Sequence, residues 1–207
     1  MLTRTPIKHC KSCGQQVVYR LPDDGDTKER AVCATCNTVH YENPLNVVGT
    51  VPWLGDKVLL CKRAIEPRHG KWTLPAGFME LGETTAQGAA RETEEEAGAQ
   101  FEMQGLFTVM SVPRVGQVHL FYRARLLSDQ FNPGAETLEA RLFSESDIPW
   151  DEIAFRTVKE TLERIREQYA NILAKEPDIA RPLIEATDAA ARRYEQVMEG
   201  NVPQWNK

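Results

Sequence analysis

The chain has no run of about 20 apolar residues, the length a membrane-crossing helix requires, so no transmembrane segment is expected. Residues Met1 to His9 hold no apolar stretch of the kind that directs secretion, and the expected location is the cytoplasm. Positive charge is not in excess either: 25 Lys and Arg face 30 Asp and Glu, a net charge of −5. That balance speaks against a nucleic-acid binder by bulk charge. There is no internal repeat and no low-complexity tract. Cysteine is scarce, at five residues. In a reducing compartment these are metal ligands or core residues rather than disulfides.

What is present divides the 207 residues into three regions. Residues 1–43 hold four of the five cysteines and few large apolar side chains. Residues 44–165 alternate strand-like runs with one marked helix, and residues 166–207 continue a helical extension. In the middle region the pattern predicts strands over Val47–Leu54, Lys57–Arg63, Trp72–Leu74, Gly105–Val112, Gln117–Leu127 and Ala140–Phe143. Gly55-Asp56 suits a tight turn between the first two. The helix is predicted over Thr85–Ala97, with Thr84 and Gln87 as a capping box and Gly98 as its left-handed stop. Ala86, Ala89, Ala90, Thr93 and Ala97 supply a small-residue face for packing on a sheet. Such a mix suggests an α/β fold, a mixed sheet sandwiched between helices.

The helix is acidic in a particular way. Glu92, Glu95 and Glu96 fall within an arc of about 100° at the helical repeat, near the end where the macrodipole disfavours negative charge. A solvated acidic face is the plain explanation of such a run. Arg91 offsets part of the repulsion through an i,i+4 pair with Glu95. A hard divalent cation would offset it better. The glycines add to this, because Gly77 and Gly82 bracket a loop that lets backbone approach a ligand.

The segment Gly77-x5-Glu83-x7-Arg91-Glu92-x2-Glu95-Glu96-x-Gly98 fixes seven positions in 22 residues. It resembles the Nudix box at every charged and glycine position. Thr93 and Ala99 depart from it, standing where the family usually has Ile, Leu or Val. The resemblance implies the Nudix α/β/α sandwich and hydrolysis of a diphosphate bond in a nucleotide derivative. It implies that Glu92, Glu95 and Glu96 bind Mg²⁺ or Mn²⁺, with the backbone carbonyl of Ala76 joining them. Glu83 would assist through loop geometry or a water, and Arg91 would orient the acids. A carboxylate must take the proton of the attacking water. Glu96 is one candidate; Glu136 and Glu139, before the last strand, are others.

Cys10-x2-Cys13, nineteen residues, then Cys33-x2-Cys36 is zinc-ribbon spacing. Four thiolates leave no open coordination position, so the zinc is expected to be structural. His9 and His40 are read as bystanders. Residues 1–43 carry six Lys and Arg against five Asp and Glu. With four thiolates and one Zn²⁺ the ribbon is slightly negative, which speaks against binding a phosphate backbone. Cys61 is read as a buried core residue.

The order of ribbon, short linker and box resembles zinc-ribbon Nudix pyrophosphatases that act on FAD and ADP-ribose. His40-Tyr41-Glu42-Asn43-Pro44, Leu60-Cys61-Lys62-Arg63, Gly70 to Gly77 and Leu138 to Phe143 carry that likeness. Pro113, fifteen residues after Gly98, is near a spacing that accompanies ADP-ribose preference. NADH and dinucleoside polyphosphates are the alternatives. The NADH group carries a Ser-Gln-Pro-Trp-Pro-Phe-Pro run after the box, which Phe101 to Val115 lacks. Two readings of other classes are a non-catalytic nucleotide sensor and a ribbon-guided RNA-processing factor. Arg63 is a candidate phosphate contact, and Phe78, Phe107 and Tyr122 are candidates for stacking on a base. The partner is then a small-molecule nucleotide.

In the tail, Val158, Leu162, Ile165, Tyr169 and Ile172 recur at helical spacing. Leu183, Ala186, Ala190, Tyr194 and Val197 suggest a second helix after Pro182. These stripes either dock on the chain's own core or form a homodimer contact.

Overall fold

The structure, a computed structural model, describes residues 5–175. The second predicted tail helix lies outside those residues. Among the described residues, 5–45 with 111–118 form one compact unit, and 46–110 with 119–175 form another.

The first unit is built on a three-stranded sheet of β1 (Val17–Arg20), β2 (Arg30–Cys33) and β3 (Val39–His40). Both neighbouring pairs are antiparallel. Cys33 at the end of β2 and Cys10 are buried, whereas Cys13 and Cys36 are exposed. Arg30 pairs with Asp26 at 2.7 Å and stacks on Tyr41.

The second unit carries the larger sheet. Its strands are β4 (Leu45–Leu54), β5 (Lys57–Arg63), β6 (Trp72–Thr73), β7 (Ala76–Phe78), β8 (Phe101–Val112), β9 (Gln117–Leu126) and β10 (Thr137–Phe143). The order is β10-β5-β4-β9-β8, with β6 added to β5 and β7 to β4. The helices are α1 (Thr85–Ala97) and α2 (Arg156–Lys175).

Alternation along β5 places the helices on opposite faces. Leu59 and Cys61 pack with Ala97, on the α1 face. Val58 and Leu60 pack with Trp72, Phe143, Val158 and Leu162, on the α2 face. A strand of period two whose residues are apolar on both sides must be covered on both sides. The α/β/α sandwich expected from the sequence is the observed fold. The start of the tail stripe docks on the chain's own core, since Val158 and Leu162 are buried there.

Several strand limits differ from the sequence reading. The strand expected over Trp72–Leu74 is two residues long, and the chain re-enters the sheet as β7 just after Pro75. A three-residue run containing a glycine, Ala76–Phe78, carries no pattern by which to see it. β8 begins at Phe101 rather than Gly105, and β10 at Thr137 rather than Ala140, across a register shift between Thr137 and Glu139. A bulge interrupts alternation, which is the signal the sequence offers.

Helix α1 has the expected limits and caps: the Thr84–Gln87 capping box is complete, and Gly98 is left-handed at φ 59°. A Cβ at Gly98 would also collide with the backbone of Asn132. Of the small-residue face, Ala89, Thr93 and Ala97 are buried, Gly88 joins them, and Ala86 and Ala90 are half-buried. Thr93, which departs from the box pattern, has a partner. Its hydroxyl donates to the Ala89 carbonyl at 2.8 Å and meets the Thr50 hydroxyl of β4 at 2.7 Å, both side chains fully buried. Thr93→Val is expected to destabilise the fold by about 1–3 kcal/mol, because the Thr50 hydroxyl is left unsatisfied. The double variant Thr50→Val with Thr93→Val should recover most of that loss in urea unfolding. Two additive losses would show that the pair does not act as one.

Candidate active site and metal centre

Arg91 organises the acidic loop and helix. Its Nε and Nη2 donate to the two oxygens of Glu83 at 3.1 and 3.0 Å. Its Nη1 donates to Glu92 at 2.8 Å and to Glu95 at 3.2 Å, and its Nη2 also reaches the Phe78 carbonyl at 3.1 Å. Glu83 additionally accepts from the Glu80 N–H at 2.7 Å. Both Glu83 oxygens are thus engaged in holding the Met79–Glu83 turn to the helix. Among the readings of Glu83, this geometry is that of loop positioning. The Glu83 carboxyl is held below the usual carboxylate range by Arg91.

Gly77 lies against Glu92, and a Cβ there would collide with the Glu92 carboxylate. The absence of a side chain at the glycine opening the motif lets the Glu92 carboxylate lie against the backbone of β7.

Glu96 is set apart from the other acids. It is buried, at 8% exposure, and its Oε2 accepts from the Ala76 N–H at 3.0 Å. Burial raises its carboxyl to about 7, and the charges of Glu92 and Glu136 push the same way against the Ala76 N–H and Arg63. Glu92 is raised as well, by burial first, with Glu95 and Glu136 adding to it and Arg91 opposing. Two acids that burial makes reluctant to ionise, Glu92 and Glu96, with one fixed arginine beside them, suit a divalent cation bound by carboxylate oxygens. The acids do not converge as a ligand set unaided, however. Among the described residues only the cysteines form such a group.

Of the candidate bases outside the helix, the structure separates the two. Glu136 acts electrostatically on both Glu92 and Glu96, and its carbonyl is fixed by the Ala64 N–H at 2.8 Å. Glu139 pairs with Arg141 at 3.6 Å, and Arg141 lies over Trp72 and Phe143 of the α2 face. Arg63 sits at the end of β5 with its guanidinium over Phe155 at 5.1 Å, and its charge reaches Glu96. Phe78 is 54% exposed beside the motif, as a stacking residue must be. Phe107 packs against the core under Arg123, and the Tyr122 hydroxyl is hydrogen-bonded to Thr85, so neither ring stands free.

In the first unit the Sγ atoms of Cys10, Cys13, Cys33 and Cys36 lie within 4.8 Å of one another. Cys10 and Cys36 are 3.6 Å apart, and Cys13 and Cys33 3.5 Å. Tetrahedral Zn–S bonds of about 2.3 Å place sulfurs roughly 3.8 Å apart, so the four thiols fit zinc. His40, read from the sequence as a bystander to the zinc, is not part of that four-sulfur group and is buried at 9% exposure. Its ring lies beside the Cys10 thiol, which burial would raise but which Ser12, Cys13, His40 and Cys36 together hold down to about 5.

Residues 44–164 match the profile described as NUDIX domain, and residues 8–42 match the one described as Nudix N-terminal, a zinc ribbon. The chain belongs to the Nudix family. A Nudix hydrolase crystal structure from Nitrosomonas europaea is 52% identical, with TM-score 0.76, covering 80% of this chain and 93% of that one. The NAD-capped RNA hydrolase NudC of Photobacterium profundum is 30% identical over 164 residues, 76% of this chain and 59% of its own length. The ADP-ribose pyrophosphatase of Methanocaldococcus jannaschii is 29% identical over 113 residues, 53% of this chain and 67% of its own. This Nudix chain therefore spans about three-fifths of the NudC relative's length. No helix among the described residues is long and apolar enough to cross a membrane.

Proposed function

We propose that the chain hydrolyses the diphosphate bond of a nucleotide derivative with Mg²⁺ or Mn²⁺ bound by Glu92, Glu95 and Glu96. The observation that carries this reading is the buried Glu96, held by the Ala76 N–H, on the same helix as the Arg91 clamp that gathers Glu83, Glu92 and Glu95. Bound divalent cations would neutralise the diphosphate and lower the pKa of water. The chain's own residues do the rest. Arg91 keeps Glu92 and Glu95 on the loop side of the helix. The Ala76 N–H fixes the Glu96 carboxylate, and the Ala76 carbonyl is assigned to the same metal site. Glu136 is the acid assigned to take the proton of the attacking water, because its charge bears on both Glu92 and Glu96. Glu139, turned toward Arg141, is assigned no such role. Phe78 offers an exposed ring for the base.

For the substrate, FAD and ADP-ribose follow from the stretches around Trp72 and Arg141, and the ADP-ribose pyrophosphatase relative supports the second of them. A second reading, NADH or NAD-capped RNA, is favoured by the NudC relatives, whose match runs over most of this chain. The test is a panel of FAD, ADP-ribose, NADH, diadenosine polyphosphates and NAD-capped oligoribonucleotide with Mg²⁺ or Mn²⁺, read by chromatography of products. FAD should yield AMP and FMN, and ADP-ribose should yield AMP and ribose 5-phosphate. A much higher kcat/KM on NADH or capped RNA would move the assignment to the second reading. Hydrolysis of none, with metal bound, would leave a nucleotide sensor.

A further inference from the structure

The segment Lys62 to Lys71 is basic within an acidic chain. It holds Lys62, Arg63, Arg68 and Lys71 against one acid, Glu66, where the whole chain has net charge −5. None of these four cations forms an ion pair among the described residues. Arg63 is instead steadied over Phe155, and its Nε donates to the Pro67 carbonyl at 3.0 Å. The Arg63 N–H donates to the Lys71 carbonyl at 2.9 Å, one residue past the Lys62–Trp72 pair of β5 and β6. Lys71 is thereby the cross-strand neighbour of Arg63, and cross-strand neighbours of an antiparallel pair share a face. Arg68, exposed with φ 72°, closes the turn through its carbonyl to the Lys71 N–H at 3.1 Å. The turn is also tied to the acids, because the Ala64 N–H holds the Glu136 carbonyl. Cations without ion-pair partners on a turn held by backbone hydrogen bonds, one of which, Arg63, acts on Glu96, suit more phosphate than a diphosphate supplies.

We propose that Arg63, Arg68 and Lys71 form a second anion subsite, which holds phosphate groups continuing beyond the scissile diphosphate. The proposal rests on the hydrolase reading above. It adds that phosphates beyond the diphosphate tighten binding, so that a dinucleoside polyphosphate or an oligoribonucleotide with a nucleotide cap binds more tightly than ADP-ribose. The subsite does not touch the bond that breaks, so it acts on binding rather than on the chemical step.

The test compares wild type with Arg68→Gln, Lys71→Gln double variant on ADP-ribose, diadenosine tetraphosphate and a capped ten-nucleotide RNA. The expected result is a rise in KM of at least fivefold on a longer substrate, with kcat kept and less than a twofold change on ADP-ribose. The salt dependence of kcat/KM on that substrate should flatten as well. A loss confined to the tetraphosphate identifies a polyphosphate, and one confined to the RNA identifies a strand. Equal losses on all three substrates, or none, would overturn the subsite. Should wild type hydrolyse nothing, fluorescence anisotropy with a 5′-phosphorylated ten-nucleotide RNA and competition by tripolyphosphate decide separately. There, binding weakened fivefold in the double variant supports the subsite, and equal binding removes it.

Discussion

Glu96→Gln is expected to lower kcat by at least about a hundredfold and, in metal-free protein at pH 8, to raise the melting temperature. Both effects come from the same burial. In the fold the Glu96 carboxyl titrates at about 7, against an ordinary value of 4.5. Between those values the folded chain holds the proton more tightly than the unfolded chain. Stability from this group therefore falls as pH rises through that window, and the full cost is present above the folded value. The separation corresponds to on the order of 3 kcal/mol. Glutamine carries no charge and keeps an oxygen to accept from the Ala76 N–H, so it escapes that cost. A bound divalent cation would reverse the preference by stabilising the carboxylate, so the same replacement is expected to lower activity. Melting curves in EDTA at pH 5 and pH 8, with turnover measured in parallel, check this. If wild type and Glu96→Gln lose stability equally between the two pH values, Glu96 is not the strained acid of the apo protein. Near-normal turnover in a Glu95→Gln, Glu96→Gln double variant would remove the helix from the active site.

Cys33→Ser is expected to abolish zinc binding and unfold the unit made by the ribbon and residues 111–118. Cys33 is fully buried at the end of β2, where its Sγ meets that of Cys13. The unit has a thin core, in which Ala31, Val32, Cys10 and Cys33 are its buried hydrophobic residues among those described. So little apolar area offsets chain entropy poorly. A structural zinc site contributes roughly 10–16 kcal/mol in isolated ribbons and fingers, far more than this core. Wild type purified gently should carry one zinc per chain by elemental analysis. The variant should carry none, and limited proteolysis should cut it first between residues 5 and 45. Zinc-free wild type with an intact ribbon would contradict the assignment.

Much of the site was legible because its signals are local. The Thr84–Gln87 box and Gly98 fix a helix by hydrogen bonds within a few residues, so its limits follow from the string of letters. The Cys-x2-Cys pairs likewise need only spacing. Arg91, Glu92, Glu95 and Glu96 share one side of that helix by its pitch alone. By contrast, β7 has three residues and a glycine, and the bulge before Glu139 breaks the alternation that would have announced the start of β10.

The sequence by itself determined the family, the two-part order of ribbon and sandwich, the helix with its acids and the four thiols. Each of these depends on spacing along one segment. Only the tertiary structure decided what those residues face. It buried Glu96 and left Glu95 in solvent, and it gave Arg91 to Glu83. It paired Thr93 with Thr50, set His40 beside Cys10, and brought the charge of Glu136 to bear on Glu96 while pairing Glu139 with Arg141. Those outcomes join residues as far as 43 positions apart in the chain. Burial and Coulomb interactions depend on distance in space, which no local pattern of residue types encodes.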